Sequence, residues 1–378
     1  MKAIYIHIPF CKQKCNYCDF SSFVLDKKTQ SDYMTLLEKE ISLHKDFKAD
    51  TIYIGGGTPS ALSKDLLLSL LRTIKQTFGP IKDFQEATFE ANPESITKEK
   101  LKILRDNGFN RLSIGLQTTK NKHLKTLGRI HDYQTFIEAY QAAQEAGFEN
   151  INVDLIAGIP GQSYKDFTDD IKVMSRLKPA HLSVYGLQIE EDTPFYNDGV
   201  KCDENKTREM LDYAHNMLKV NGYHHYEISN YARPGFESKH NNIYWDGGEY
   251  LGLGLGAASY INGMRYSNTD EMRDYVTKMD ENLSPVTFEE ILDGKEKIGE
   301  LFMLSLRRLD GAKLTKEIVD YFAPEIEDLI ERKLLVLEED TVKLSHEGLY
   351  LANQVFSAFV APFEDDNAKK CEAPKKKK

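Results

Sequence analysis

The chain has 378 residues, of which 41 % are hydrophobic, and carries a formal net charge of −10. That length fits roughly two or three domains, and the apolar fraction is enough for a large core. No apolar run approaches the roughly 18 residues of a membrane span, and Met1-Lys2-Ala3-Ile4-Tyr5 does not read as a signal peptide, so a cytoplasmic location is expected. The acidic balance, with no basic stripe in the folded part, argues against a nucleic-acid partner.

In chain order, short apolar runs alternate with helical patterns. Strands are predicted at 4–8, 51–54, 87–91, 111–115, 150–156 and 181–187. Helices are predicted between them at 32–44, 63–78, 98–107, 133–146 and 164–177, the first with Tyr33, Leu36, Leu37, Glu40 and Ile41 at helical spacing. Asn107-Gly108, Ala146-Gly147 and Lys178-Pro179 supply helix stops. Six strand–helix units in succession imply a parallel sheet covered by helices. A closed barrel of this kind needs about eight units, so six imply a partly open barrel, or else an open doubly wound sheet. A further helix is predicted at 206–220. A glycine-dense stretch follows from Gly247-Gly248 to Gly256, and a small helical unit covers 287–360. There, 334–338 and 342–345, joined by Glu339-Asp340-Thr341, can form a hairpin or wing.

The five cysteines make a poor disulfide framework, because Cys11, Cys15 and Cys18 fall within eight residues and the total is odd. Their spacing, C-x3-C-x2-C, lies in Pro9-Phe10-Cys11-Lys12-Gln13-Lys14-Cys15-Asn16-Tyr17-Cys18-Asp19-Phe20, after the first strand. Three thiolates can hold three irons of a four-iron, four-sulfur cubane and leave the fourth open. In strand–helix barrels this end of the strands is the functional face. The competing reading is a zinc site completed by His7 or Cys202. Gly55-Gly56-Gly57-Thr58 ends the second strand, where the lack of Cβ atoms permits close approach of a ligand to the backbone.

Tyr5-x-His7-x-Pro9-Phe10-Cys11-x3-Cys15-x-Tyr17-Cys18 resembles the opening of radical S-adenosylmethionine proteins of the coproporphyrinogen oxidase type. The likeness continues through Gly55-Gly56-Gly57-Thr58-Pro59-Ser60, Glu90-Ala91-Asn92-Pro93, Gly115-Leu116-Gln117, Gly128-Arg129 and Asp154-Leu155-Ile156-Ala157-Gly158-Ile159-Pro160-Gly161. It implies an α/β fold: a partial (β/α)6 barrel of the radical SAM type and a C-terminal, mainly helical, winged-helix-like domain. The expected divisions are the barrel at 1–200 and a connecting α/β region at 201–285. The winged-helix-like domain follows at 286–362, then a disordered lysine-rich tail at 363–378. The resemblance assigns the cluster to Cys11, Cys15 and Cys18. It assigns S-adenosylmethionine contacts to Gly56, Gly57, Thr58, Glu90, Gln117, Arg129 and Asp154, with Tyr5 and Tyr17 as aromatic neighbours.

Two departures argue against the oxidase itself. The resemblance calls for another cysteine two residues after Cys18, where this chain has Phe20, and only ten residues precede Cys11. His240-Asn241-Asn242-Ile243-Tyr244-Trp245 is instead similar to the motif of a heme-chaperone subgroup of that family. That implies heme as a further ligand, His240 as its axial ligand with His224 and His225 as rivals, and a heme-acceptor protein as partner. Anaerobic decarboxylation of coproporphyrinogen III, or radical chemistry on an unrelated substrate, are the competing functions. Peripheral membrane contact through the tail and a homodimer stay open, and Cys202 and Cys371 read as free thiols.

Overall fold

The computed structural model describes residues 1–24 and 26–363. The expected tail from 364 onward, including Cys371, lies outside the described residues. By contacts the described residues divide into a first unit of residues 1–225, 229–243 and 248–290 and a second of 226–228, 244–247 and the described part from 291 onward.

In the first unit the six predicted strands are present as β1 (Lys2–Ile8), β2 (Thr51–Gly56), β3 (Glu86–Ala91), β4 (Arg111–Gln117), β5 (Asn150–Ala157) and β6 (His181–Gly186). All are parallel and adjacent in that order. Between them run α1 (Lys27–Ser42), α2 (Lys64–Phe78), α3 (Lys98–Asp106), the short α4 (Asn121–Thr126), α5 (Tyr133–Glu145) and α6 (Tyr164–Leu177). Ser63, Thr97, Asp132 and Ser163 cap α2, α3, α5 and α6 by accepting first-turn backbone N–H groups, which stabilises each helix start by about 1 kcal/mol.

The strands alternate, and both faces are informative. Ile4, Ile6, Ile52, Ile54, Phe89, Leu112, Ile114, Val153 and Leu182 are buried in the main core beneath the helices. The opposite face is polar. Tyr5, Tyr53, Thr88, Arg111 and Asn150 form one row across five strands, and Glu90, Ser113, Asn152 and His181 form the next. The sheet therefore buries an apolar outer face and encloses a polar inner one.

After α7 (Pro194–Asn197) and α8 (Glu204–Val220), the sheet gains strands at both edges. β7 (His224–Glu227) and β8 (Asn230–Ala232) follow β6, with β8 antiparallel to it. Beyond α9 (Lys239–Trp245), β9 (Glu249–Leu253) lies parallel to β1. β10 (Ala258–Ile261), β11 (Met264–Asn268) and β12 (Val286–Ile291) continue outward from it, and α10 (Met272–Asp280) lies between the last two in sequence. Gly252 is required here: a Cβ would stand 2.1 Å from the carbonyl oxygen of Ala258. Glu40 of α1 ties this edge down. Its carboxylate accepts from Gly254 N at 2.9 Å, Asn268 Nδ2 at 2.7 Å and Tyr275 Oη at 2.6 Å, all buried.

The second unit packs α11 (Gly294–Ser305), α12 (Lys316–Glu331), α13 (His346–Tyr350) and α14 (Ala352–Phe356) with a three-stranded sheet. That sheet holds β13 (Ala312–Lys313), β14 (Leu335–Glu338) and β15 (Thr341–Leu344), and β14–β15 is the expected hairpin. Phe302, Phe322 and Phe359 make edge-to-face contacts at its centre.

Candidate functional site

The cysteine loop leaves the C-terminal end of β1 and is held by backbone bonds. Phe23 N donates to Pro9 O at 2.7 Å, and Cys11 N to Phe23 O at 3.0 Å. The far side is clamped to the turn after α4: Asn16 N donates to Leu127 O at 3.0 Å, Asn16 Nδ2 to Thr126 O at 2.9 Å, and Gln13 Nε2 to Gly128 O at 2.9 Å. Cys11, Cys15 and Cys18 are all half-exposed on this loop. Burial pushes the thiols of Cys15 and Cys18 up. Three partly exposed thiols on one braced loop, each within electrostatic reach of another, are a donor set that fits a cubane with one unligated iron.

The glycine turn packs directly against that loop. Gly57 N donates to Ile8 O at 2.9 Å and Thr58 N to Phe10 O at 2.7 Å. A Cβ on Gly57 would stand 2.8 Å from Phe10 O and 3.1 Å from Cys11 Sγ, so only glycine fits without displacement. Gly56 has φ +111°, a conformation that other residues rarely adopt.

A chain of polar contacts joins two of the thiols through side chains that follow β2, β3 and α4. Cys11 Sγ lies 3.4 Å from Thr58 Oγ1, Asn92 Nδ2 donates to Thr58 Oγ1 at 3.0 Å, and Arg129 Nη2 donates to Asn92 Oδ1 at 2.6 Å. Arg129 Nη1 then points at Cys15 Sγ at 3.6 Å, and its Nη2 also reaches Gly115 O at 2.8 Å. Burial works against the Arg129 charge, but Tyr17, Cys15 and Glu94 around it hold its pKa up. Asn92 was visible in Glu90-Ala91-Asn92-Pro93 yet not singled out; its place between Thr58 and Arg129 gives it a role at this site. Gln117 is buried at a bulge ending β4 with φ 74°, unusual for a residue with a Cβ and typical of functional sites.

Below this ring sit two carboxylates. Glu90 accepts from Tyr53 Oη at 2.5 Å and from Gly56 N at 3.0 Å. Burial pushes its pKa up to about 7, the Tyr53 bond opposes this, and Asp154 adds to it. Asp154 accepts from Asn152 Nδ2 at 2.8 Å and is also raised, chiefly by burial. The geometry thus brings together Gly56, Gly57, Thr58, Glu90, Arg129, Cys11 and Cys15 through direct contacts.

His7 is a brace. Its Nε2 lies 2.9 Å from Ser21 O and its Nδ1 2.9 Å from Tyr5 Oη. Burial lowers its pKa, so the ring is neutral, with Nε2–H donating to the carbonyl and Nδ1 accepting from the phenol. Both nitrogens are thereby used, which removes His7 from the zinc reading. Tyr17 and Cys202 are partly buried against the satellite cluster of Leu127, Ile156, Ile159, Leu187 and Phe195. Phe20, standing where the oxidase pattern has a cysteine, is 63 % exposed.

His240 does not join this group. It is 1 % exposed, its Nδ1 is 2.8 Å from Thr51 Oγ1 at the start of β2, and its ring lies 5.1 Å from that of Tyr53. The cysteines lie at the opposite, C-terminal end of the strands. Burial lowers the His240 pKa to about 3, so the ring is neutral. The ring is thus held through Nδ1 to Thr51 Oγ1 at the base of the sheet, away from the cysteine loop. Of the rivals, His224 is exposed and lies 3.5 Å from Glu237, while His225 stacks on Tyr231 and meets His215 at 3.0 Å. In the second unit the face of Trp245 carries the Arg307 guanidinium at 4.3 Å.

Residues 5–174 match the radical SAM superfamily. With three cysteines at the mouth of a parallel barrel beside a glycine turn, the chain is a radical SAM protein, and that class implies a four-iron, four-sulfur cluster and S-adenosylmethionine. It is 37 % identical over 376 residues to the heme chaperone HemW of Bacillus subtilis (strain 168), covering 95 % of this chain and 99 % of that one. It is 31 % identical to the heme chaperone HemW of Escherichia coli (strain K12), covering 95 % and 98 %. Its fold is that of coproporphyrinogen III oxidase (HemN) from Escherichia coli, with TM-score 0.84 and 24 % identity over 95 % of this chain and 90 % of that one. Within the superfamily the chain belongs to the HemW family. No described helix is long and apolar enough to cross a membrane.

Proposed function

We propose that this chain is a heme chaperone: it binds heme and passes it to an acceptor protein, and it works in the cytoplasm. The observation that carries the reading is the near full-length similarity to proteins named heme chaperones. The phenyl ring of Phe20, in place of the further cysteine of the oxidase pattern, supports it.

Cys11, Cys15 and Cys18 hold the cluster, and the backbone of Gly56 and Gly57 with Thr58 receives the methionine end of S-adenosylmethionine at the open iron. Together the two groups supply one-electron cleavage of a sulfonium when bound. Glu90 and Asp154 bond the cofactor's amine or hydroxyl groups, Gln117 adds a neighbouring amide, and Arg129 pairs with its carboxylate. Tyr5, through His7, and Tyr17 shield the cluster loop. The heme ligand is a histidine: His240 of the motif, with His224 and His225 as its rivals.

Anaerobic reconstitution of the full chain tests this, with iron, sulfide and heme counted on one sample and heme then offered to an apo-hemoprotein. The proposal expects about four irons and four sulfides beyond the heme iron, with heme released to the acceptor. Failure to take up heme would defeat it.

A further inference from the structure

The motif His240-Asn241-Asn242-Ile243-Tyr244-Trp245 invites a heme reading, and its first residue has a further set of partners. Glu86, 3 % exposed at the start of β3, closes the N-terminus of α9. One of its oxygens accepts from Ser238 Oγ at 3.2 Å and His240 N at 3.0 Å, and the other from Lys239 N at 3.0 Å. A buried carboxylate with three donors fixes the start of α9, and so the Cα of His240, against the inner sheet.

From there a continuous set of contacts runs up the inner wall. The His240 imidazole bonds Thr51 Oγ1 at 2.8 Å, and its ring lies against Tyr53, the next inward residue on β2. Tyr53 Oη reaches Glu90 at 2.5 Å, and Glu90 holds Gly56 N at 3.0 Å. Gly55 makes the closeness of the last pair feasible: a Cβ there would stand 2.7 Å from the Tyr53 ring and 2.9 Å from Glu90. The Tyr53 ring is packed by His240, 5.1 Å between ring centroids, and more loosely by Tyr5 at 6.2 Å.

We infer that His240 is a positioning residue for the S-adenosylmethionine site: bonded to Thr51, it braces Tyr53 and thereby sets Glu90 and the Gly56 turn. This rests on the reading of Glu90 and Gly56 as cofactor contacts. The imidazole acts on the cofactor site through two other side chains, Tyr53 and Glu90.

The test uses the full chain, anaerobically reconstituted, with S-adenosylmethionine as the probe in equilibrium binding. Thr51→Val removes the hydroxyl that orients His240 at nearly constant volume, and Thr51→Ser keeps it. The inference expects Thr51→Val and His240→Ala to weaken S-adenosylmethionine binding about fivefold, as loss of one net hydrogen bond would. It expects Thr51→Ser to retain most of the affinity. Should His240→Ala fail to fold, the Thr51 pair decides. Unchanged cofactor affinity in Thr51→Val overturns the inference if Glu90→Gln still weakens binding. If Glu90→Gln leaves affinity untouched, the cofactor reading itself fails and takes the inference with it.

Discussion

Arg129 and Cys15 meet across the barrel mouth, guanidinium Nη1 to sulfur at 3.6 Å, while the other terminal nitrogen of the same Arg129 bonds Asn92 at 2.6 Å. One planar group thus spans a cluster thiol and Asn92 at the end of β3, which in turn bonds Thr58. Lysine has a single nitrogen and cannot make both contacts in this geometry. Arg129→Lys is therefore expected to weaken S-adenosylmethionine binding by about tenfold, the cost of one charge-assisted bond, while iron and sulfide contents stay near those of the parent. Equilibrium binding beside metal analysis checks both halves.

Gly57 provides a steric test of the loop. An added Cβ would press on Phe10 O at 2.8 Å and approach Cys11 Sγ at 3.1 Å. Backbone on one side and a ligand sulfur on the other leave it little room. Gly57→Ala is expected to lose more than about half of the reconstituted cluster, with overpacking costing about 1–3 kcal/mol. Sulfide analysis after anaerobic loading reads this directly.

Glu90 gives a pH dependence of known sign. Its carboxyl is pushed up to about 7 from the ordinary 4.5, chiefly by burial. The folded chain therefore binds the proton more tightly than the unfolded one. The stability from this group is fully present below pH 4.5 and is lost as the pH rises through 7, a change on the order of 1–3 kcal/mol. A bound ammonium would favour the charged form, so S-adenosylmethionine affinity rises over the same window. Glu90→Gln should flatten both profiles, which denaturant titration and binding measurements from pH 5 to about 8 would reveal.

Glu40 tests the barrel edge. Its carboxylate serves Gly254 N, Asn268 Nδ2 and Tyr275 Oη, and burial raises its pKa against those bonds. Glu40→Ala would strand three buried donors, so a loss of about 3–5 kcal/mol is expected in chemical unfolding. Exchange protection should fall first in β9 and β10.

The six strand–helix units were legible because period-two and period-3.6 patterns alternate cleanly, and the hairpin of the second unit because Glu339-Asp340-Thr341 separates two apolar runs. β9 was not. Tyr250-Leu251-Gly252-Leu253 sits among glycines that weaken any strand reading, and its partner β1 lies some two hundred and fifty residues away in sequence. Gly252 is there for the approach of Ala258 O, a reason visible only in three dimensions. Glu40 fell on the apolar stripe of α1 and gave no sign of its three partners. The cysteine loop declared itself by spacing alone. His240 carried a motif whose chemistry the sequence could suggest, but its depth and its bond to Thr51 depend on how α9 meets the base of the sheet.

The most direct measurement of the central claim is product analysis after anaerobic incubation of the reconstituted full chain with coproporphyrinogen III, S-adenosylmethionine and a one-electron reductant. The account predicts no protoporphyrinogen above background, and heme, when supplied to a parallel sample, held and then surrendered to an apo-hemoprotein. Steady formation of protoporphyrinogen over many turnovers, by a chain that does not retain heme, would contradict it.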